Sequence, residues 1–289
     1  MIRPSPGQLA HLACLFEATA RKPGNIHRFA DFDDATYLDF LISAAAIVAP
    51  LDRAPALGVG AAVLEAVEAT RSWTTTNTNL GMILLLAPLA ALPEDTRVGR
   101  GLRSLLSSTT VDDARLVYQA IRLARPGGLG RSTEQDVADE PTVTLLEAMS
   151  LAAHRDAVAR QYATNYADVR AWLRPLRRDL RAGRPLEVAI IRLHLHILGA
   201  GPDSLIARKC GETVAREASN RARRALEAGW PDRGRSELDL LDTWLRAEGH
   251  TRNPGTSADL VTAVLFLALR SGTITLPRPA GPSGWSGPG

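Results

Sequence analysis

Lysine is nearly absent from this 289-residue chain: of 34 basic residues only Lys22 and Lys209 are lysine, and the rest are arginine. Cysteine is as scarce. Cys14 and Cys210 stand far apart, which excludes a disulfide framework or a zinc-type ligand spacing and fits a reducing compartment. Aromatics make up 5% and β-branched alternation is missing, so strands find no support; Thr273 to Leu276 is the one short β-like stretch. The longest apolar run, Leu80 to Leu92, is broken by Gly81 and Pro88 and is too short for a bilayer. The first residues, Met-Ile-Arg-Pro-Ser-Pro-Gly, contain no apolar leader, and the expectation is a cytoplasmic protein. A net charge of +3 is too small to argue for nucleic acid. No P-loop, Rossmann fingerprint or Ser-His-Asp pattern occurs.

What is present is helical periodicity. Leu9, Leu12, Ala13, Phe16 and Ala20 share one face; Tyr37, Phe40, Leu41, Ala44 and Val48 share another. Leu57, Ala61 and Leu64 begin a third pattern that closes before Trp73. Thr110 with Asp112 and Asp113 reads as a helix start, and Gly127-Gly128 as its end. A long pattern starts near Thr142 and is expected to run unbroken past Tyr166. Leu186 to Leu198 forms another helix, Asp203-Ser204 caps the next, and Thr256 to Asp259 has capping-box spacing before Leu260 to Leu269. The reading is one all-α domain, residues 1–276, of ten or more helices, with a pocket formed by helix-terminal loops. Residues 277–289, rich in Pro, Gly and Ser, read as a flexible tail.

Between the apolar patterns lie polar islands. Residues 20–48 break at Pro23-Gly24 and then carry Asn25, His27, Asp31, Asp33 and Asp34. Gly24 offers a backbone that a ligand can approach closely. Thr74 to Asn79 precedes the apolar run with more hydroxyls and amides than one cap requires, a pattern able to meet an anion. The loop 126–140 holds Asp136, Asp139 and Glu140 and has the length of a lid. Asp203 to Glu212 includes Arg208 and Lys209, and Arg252 to Gly255 includes Asn253, with Asp259 a turn beyond. The loops bearing Lys22, Asn77, Asp203 and Asn253 are expected to open onto one concave site. Both lysines follow an arginine and precede a glycine by one residue; as compact ammonium charges kept against an arginine bias they suit phosphates, and are expected to be solvated. The arginines from Arg170 to Arg184 read as a solvated face. His194 and His196, two apart, point to different helix faces, so a shared metal is not expected.

In order along the chain, Lys22-Pro23-Gly24, Asp34 with Phe40 to Ala44, Asn77-Thr78 with Gly81, Asp203 with Ile206, Arg208 and Gly211, and Asn253-Pro254-Gly255 with Ala258-Asp259-Leu260 resemble the triphosphoribosyl-dephospho-CoA synthase family. The resemblance spans residues from about 10 to 270. It implies an all-α enzyme that takes ATP and dephospho-CoA and releases adenine. On that basis Asp34 and Asp203 are candidate catalytic residues. Lys22, Gly24, Asn25, Asn77, Thr78, Asn79, Arg208, Lys209, Asn253 and Gly255 are candidate nucleotide or phosphate ligands. Asp31, Asp34 and Asp136 are candidate ligands for Mg²⁺. The implied partners are ATP and a dephospho-CoA-like acceptor, with no nucleic acid or membrane, and a homodimer is compatible.

The chain departs from the family pattern. Where the family has Asn-Thr-His-Lys-Gly, this sequence has Asn77-Thr78-Asn79-Leu80-Gly81, losing an imidazole and an ammonium. Thr36 stands where a second acid is common, and the loop after Gly24 is slightly shorter. The chain therefore resembles a divergent branch, whose acceptor could belong to pterin-linked one-carbon chemistry. The alternative is a nucleotide- or cofactor-binding protein without turnover on the same fold.

Overall fold

The computed structural model describes residues 4–128, 130 and 132–275; the tail 277–289 lies outside them. Sixteen helices occur among the described residues, and no strand; one isolated bridge joins His27 to Ala30. The first half holds α1 (Pro6–Thr19), α2 (Tyr37–Ala46), α3 (Val48–Asp52), α4 (Ala54–Leu57) and α5 (Val59–Arg71). It continues with α6 (Leu80–Ala90), α7 (Val98–Ser107), α8 (Val111–Ala124) and α9 (Leu145–Ala152). The second half holds α10 (Ala157–Ala163), α11 (Ala167–Arg181), α12 (Leu186–Ala200) and α13 (Ser204–Cys210). It ends with α14 (Glu212–Glu227), α15 (Arg235–Arg246) and α16 (Gly255–Arg270). None is long and apolar enough to cross a membrane.

Two helices form the centre because they are apolar on nearly every face, the pattern of a helix buried all round. In α6 every residue except Gly81 is buried, and in α16 burial is continuous from Leu260 to Leu269. The two pack together; α1 lies on α16, α5 on α8, and α12 on α14 around them. Pro88 inside α6 cannot donate to the Leu84 carbonyl. The buried hydroxyl of Tyr162 donates to that oxygen at 2.6 Å, and Tyr166 donates to the Leu85 oxygen at 3.0 Å. The interruption is thus satisfied from α10 and the residue that opens α11, which ties them to the central helix.

Helix starts follow side-chain chemistry. Thr36 with Asp39 and Thr110 with Asp113 close reciprocal capping boxes, each satisfying two otherwise orphaned backbone groups. Three boundaries differ from the sequence reading. The pattern from Thr142 is cut into α9, α10 and α11. The Asp156 carboxylate caps α10, and Asn165 and Tyr166 take left-handed φ of 55° and 56° between α10 and α11. Helix α8 stops at Ala124 because Arg125 already takes φ 49°, ahead of the two glycines. Helix α16 starts at Gly255 without a side-chain cap, so Thr256 and Ser257 lie inside its first turn, not before it. On the arginine face, Arg184 makes paired bonds to Asp232 and Arg177 reaches Thr273.

Candidate functional site

The helix ends surround a cleft of about 750 Å³, within the size range of small-molecule sites. It is lined by the loop between α1 and α2 and by the segment Thr75 to Asn79 at the start of α6. The end of α8, described residues of the loop that follows it, such as Gly127 and Asp136, and the starts of α10 and α13 line it as well. The first turns of α16 and the Glu17 side chain of α1 lie at the bottom. Of the sequence-derived candidates, Asn25, Asp34, Asn77, Thr78, Asn79, Asp136, Arg208, Lys209, Asn253 and Gly255 line it. Lys22, Gly24, Asp31 and Asp203 do not.

Each of those four is occupied elsewhere. Lys22 is not solvated; it has no exposed surface, and its ammonium lies 2.9 Å from the Glu17 carboxylate. It also donates to the backbone oxygens of Glu17 and of Ala20, so all three of its donors are used at the C-terminal end of α1. Gly24 does take a positive φ of 74°, but what approaches it is protein: a Cβ there would lie 2.6 Å from Leu245 Cδ1. Asp31 accepts from the Tyr37 amide at 2.6 Å at the start of α2. Asp203 is buried, caps α13 through the Leu205 and Ile206 amides, and accepts from both the amide and hydroxyl of Ser257 at 2.7 Å. Four donors fill that carboxylate. It clamps α13, the helix that carries Arg208 and Lys209, to α16.

The lining residues are less committed. Asn25 donates to the Asn253 side chain at 2.7 Å, which joins the first island to the last, while its own amide oxygen is buried without a partner. Asn79 holds Thr70 at 3.2 Å, and the Thr78 hydroxyl meets Ser43 at 2.5 Å. Leu80, at the family's ammonium position, is buried. Asp34 lies 3.4 Å from His250, whose ring stacks on Phe32. Arg208 donates to Asp156 at 2.6 Å, whereas Lys209 is exposed and carries no salt bridge among the described residues. Its chain lies over Gly127, where a Cβ would come 3.3 Å from Cε. Asp136 accepts from the Ala138 amide at 2.8 Å and from the Ser132 amide.

The proposed Mg²⁺ set does not assemble as a cage: among the described residues no three His, Cys, Asp or Glu side chains converge on a common point. Several lining groups escaped the candidate set. Glu17 sits on the buried face of α1 with Ala10, Ala13 and Cys14, and a carboxylate at that spacing was a readable signal. Burial raises its carboxyl and Lys22 opposes the rise. Arg125 and Arg155 line the cleft with no carboxylate partner among the described residues; they are two of many arginines, and nothing in sequence separates them from the others. Asp259 also lines the cleft. His194 is buried as a neutral ring, its pKa pushed down to about 3 by burial and then by the charge of Lys22.

The model of a family described as ATP:dephospho-CoA triphosphoribosyl transferase (CitG) matches residues 3–275. No curated protein sequence matches the chain. Among solved structures, a protein from Archaeoglobus fulgidus described as a triphosphoribosyl-dephospho-CoA synthase superposes with a TM-score of 0.62 at 27% identity, covering 80% of this chain and 99% of its own. With the match running through nearly every helix, the chain belongs to the ATP:dephospho-CoA triphosphoribosyl transferase family.

Proposed function

We propose that this cleft moves the triphosphoribosyl unit of ATP onto a hydroxyl of a dephospho-CoA-like acceptor and releases adenine. The observation that carries the reading is the pairing of a cationic rim with a carboxylate floor in one cleft of a chain from this family. Breaking the bond from C1′ to the base develops positive charge on the ribose, while the triphosphate stays intact. Lys209, Arg208, Arg125 and Arg155 offer charge-assisted donors to phosphate oxygens. The Thr256 amide in the first turn of α16 adds a helix N-terminal donor; the Gly255 amide is already held by the Asn253 carbonyl at 2.8 Å. Asn25, Asn77, Asn79 and Asn253 supply amides that orient the sugar and base. Asp34, 3.4 Å from His250, would take the proton of the acceptor hydroxyl.

Mg²⁺ is commonly held by one or two carboxylates together with substrate phosphates. Asp34 and Asp136 would hold an ion brought in by the triphosphate; Asp31 would not. Bound there, the ion would neutralise phosphate charge.

Free adenine, assayed after incubation with ATP, Mg²⁺ and dephospho-CoA, tests the reading. A parallel arm replaces dephospho-CoA with a pterin-linked alcohol, the alternative acceptor for a branch that diverges at Asn79 and Leu80. Adenine release with either acceptor supports transfer and identifies the acceptor. If ATP raises the melting temperature but no adenine appears with any acceptor, the protein binds nucleotide without turning it over.

A further inference from the structure

The proposed transfer needs a proton for the departing base, and none of the groups assigned so far supplies it. Asp259 lies on α16 one turn past Gly255, and its side chain lines the cleft. Gly81, in the first turn of α6, faces it directly: a Cβ at that position would fall inside the Asp259 carboxylate. The absence of a side chain at Gly81 is what lets a carboxyl group sit between the two central helices. Among the described residues none bonds to that group. Asp203 accepts from four donors, Glu17 is held by Lys22, and Asp156 is held by Arg208 and two amides. Asp259 receives no hydrogen bond or salt bridge from the described residues. A half-buried carboxyl that faces the cleft without a partner among the described residues is open to a ligand.

We propose that Asp259 recognises the adenine of bound ATP through N7 and the 6-amino group and protonates N7 as the base leaves. This rests on the transferase reading and adds a residue to it. A carboxylic acid presents one donor and one acceptor side by side, the complement of an acceptor N7 beside a donor amine on adenine. In the step, the C1′–N9 electron pair departs with the base while N7 takes the Asp259 proton, so adenine leaves neutral. The acceptor oxygen bonds to C1′, and its proton passes to the Asp34–His250 side. Solvent then returns a proton to Asp259. The surroundings favour the acid form: burial first, then the charges of Glu17, Asp203 and Asp156, push its carboxyl well above the usual range, and Arg208 opposes them.

Two experiments separate this role from the parent reading. On the unaltered protein, 7-deaza-ATP keeps the triphosphate and ribose but has carbon in place of N7. It should still raise the melting temperature and should release its base at least about 100-fold more slowly than ATP releases adenine. In Asp259→Asn, adenine release from ATP should fall by about 10²–10⁴-fold. A pyridinium riboside triphosphate, whose base leaves neutral without a proton, should react with the Asn variant within about tenfold of the parent rate. Turnover of 7-deaza-ATP at the ATP rate, or an equal loss on both substrates in Asp259→Asn, would overturn the assignment. An Asn variant that fails to fold leaves the 7-deaza-ATP comparison to decide. If the parent protein binds ATP but releases no adenine, the transferase reading itself fails, and the role of Asp259 fails with it.

Discussion

Lys22 and Lys209 stand in matching sequence surroundings, an arginine before and a glycine two residues after, and the fold sends them to opposite environments. Lys22 is sealed beneath the cleft with its three donors spent on Glu17 and Ala20. Lys209 is exposed at the rim over Gly127. The difference lies in what surrounds each position. Lys22 follows a helix whose buried face already carries a carboxylate, so its ammonium neutralises Glu17 and caps α1. Lys209 ends the short helix α13 beside a glycine-rich loop, where no carboxylate meets it. The same local sequence thus gives one lysine that is buried and fully bonded and one that is exposed at the cleft.

The widest gap between the two should appear in stability. Lys22→Met leaves the Glu17 carboxylate buried without its counter-charge, which should cost roughly 3–5 kcal/mol in denaturant unfolding. The same change at Lys209 should stay within about 0.5 kcal/mol. The loss at position 22 should shrink as pH falls. Burial raises the Glu17 carboxyl, so the folded variant binds a proton more tightly than the unfolded chain and gains relative stability in acid. Pairing Lys22→Met with Glu17→Gln should recover much of the loss, because replacing both partners removes the orphan charge. Equal stability of the Lys22 and Lys209 variants would remove the distinction between floor and rim.

The second test concerns what supports the rim. Asp203→Ala removes the cap of α13 and the acceptor of both Ser257 donors, and should cost roughly 2–4 kcal/mol. Because α13 carries Arg208 and Lys209, nucleotide affinity should fall as well. Restoring the stability lost, for example by working at lower temperature, should not restore that affinity. A variant of full stability with abolished turnover would instead return Asp203 to the reacting groups.

These cases show where sequence reasoning ends. The all-α class was legible because apolar residues recur at helical steps almost throughout, and α6 and α16 stood out as runs too apolar for a surface helix. The breaks around α10 were not, since Asp156 sits within an otherwise continuous helical period and only its capping bond marks a start. At the site, Asn77, Asn253, Arg208 and Lys209 could be singled out because polar groups gather at helix ends. Lys22, Gly24, Asp31 and Asp203 looked equivalent to them. Their partners are Glu17, Leu245, the Tyr37 amide and Ser257; two of these are distant in sequence, and the two near ones are reached only through the turn of the loop. Spacing reveals which residues are polar; it does not reveal which of them are already satisfied.

The smallest expected effects belong to Lys209, and they bear most directly on the nucleotide. Lys209→Met should weaken ATP binding by roughly 1.5–3 kcal/mol, the range for losing a charge-assisted hydrogen bond. Lys209→Arg keeps the charge but replaces a rotatable ammonium with a planar fork whose donors point differently. It should cost about 0.5–1.5 kcal/mol in affinity, as for one hydrogen bond of ordinary strength. Neither change should shift the melting temperature of the empty protein, because the side chain is exposed and has no partner among the described residues. Calorimetric titration with ATP, run beside thermal melts of the free variants, reads both quantities. If Lys209→Met binds ATP as the parent does, the rim ammonium decorates a helix end and the phosphates must be held by the arginines that line the cleft.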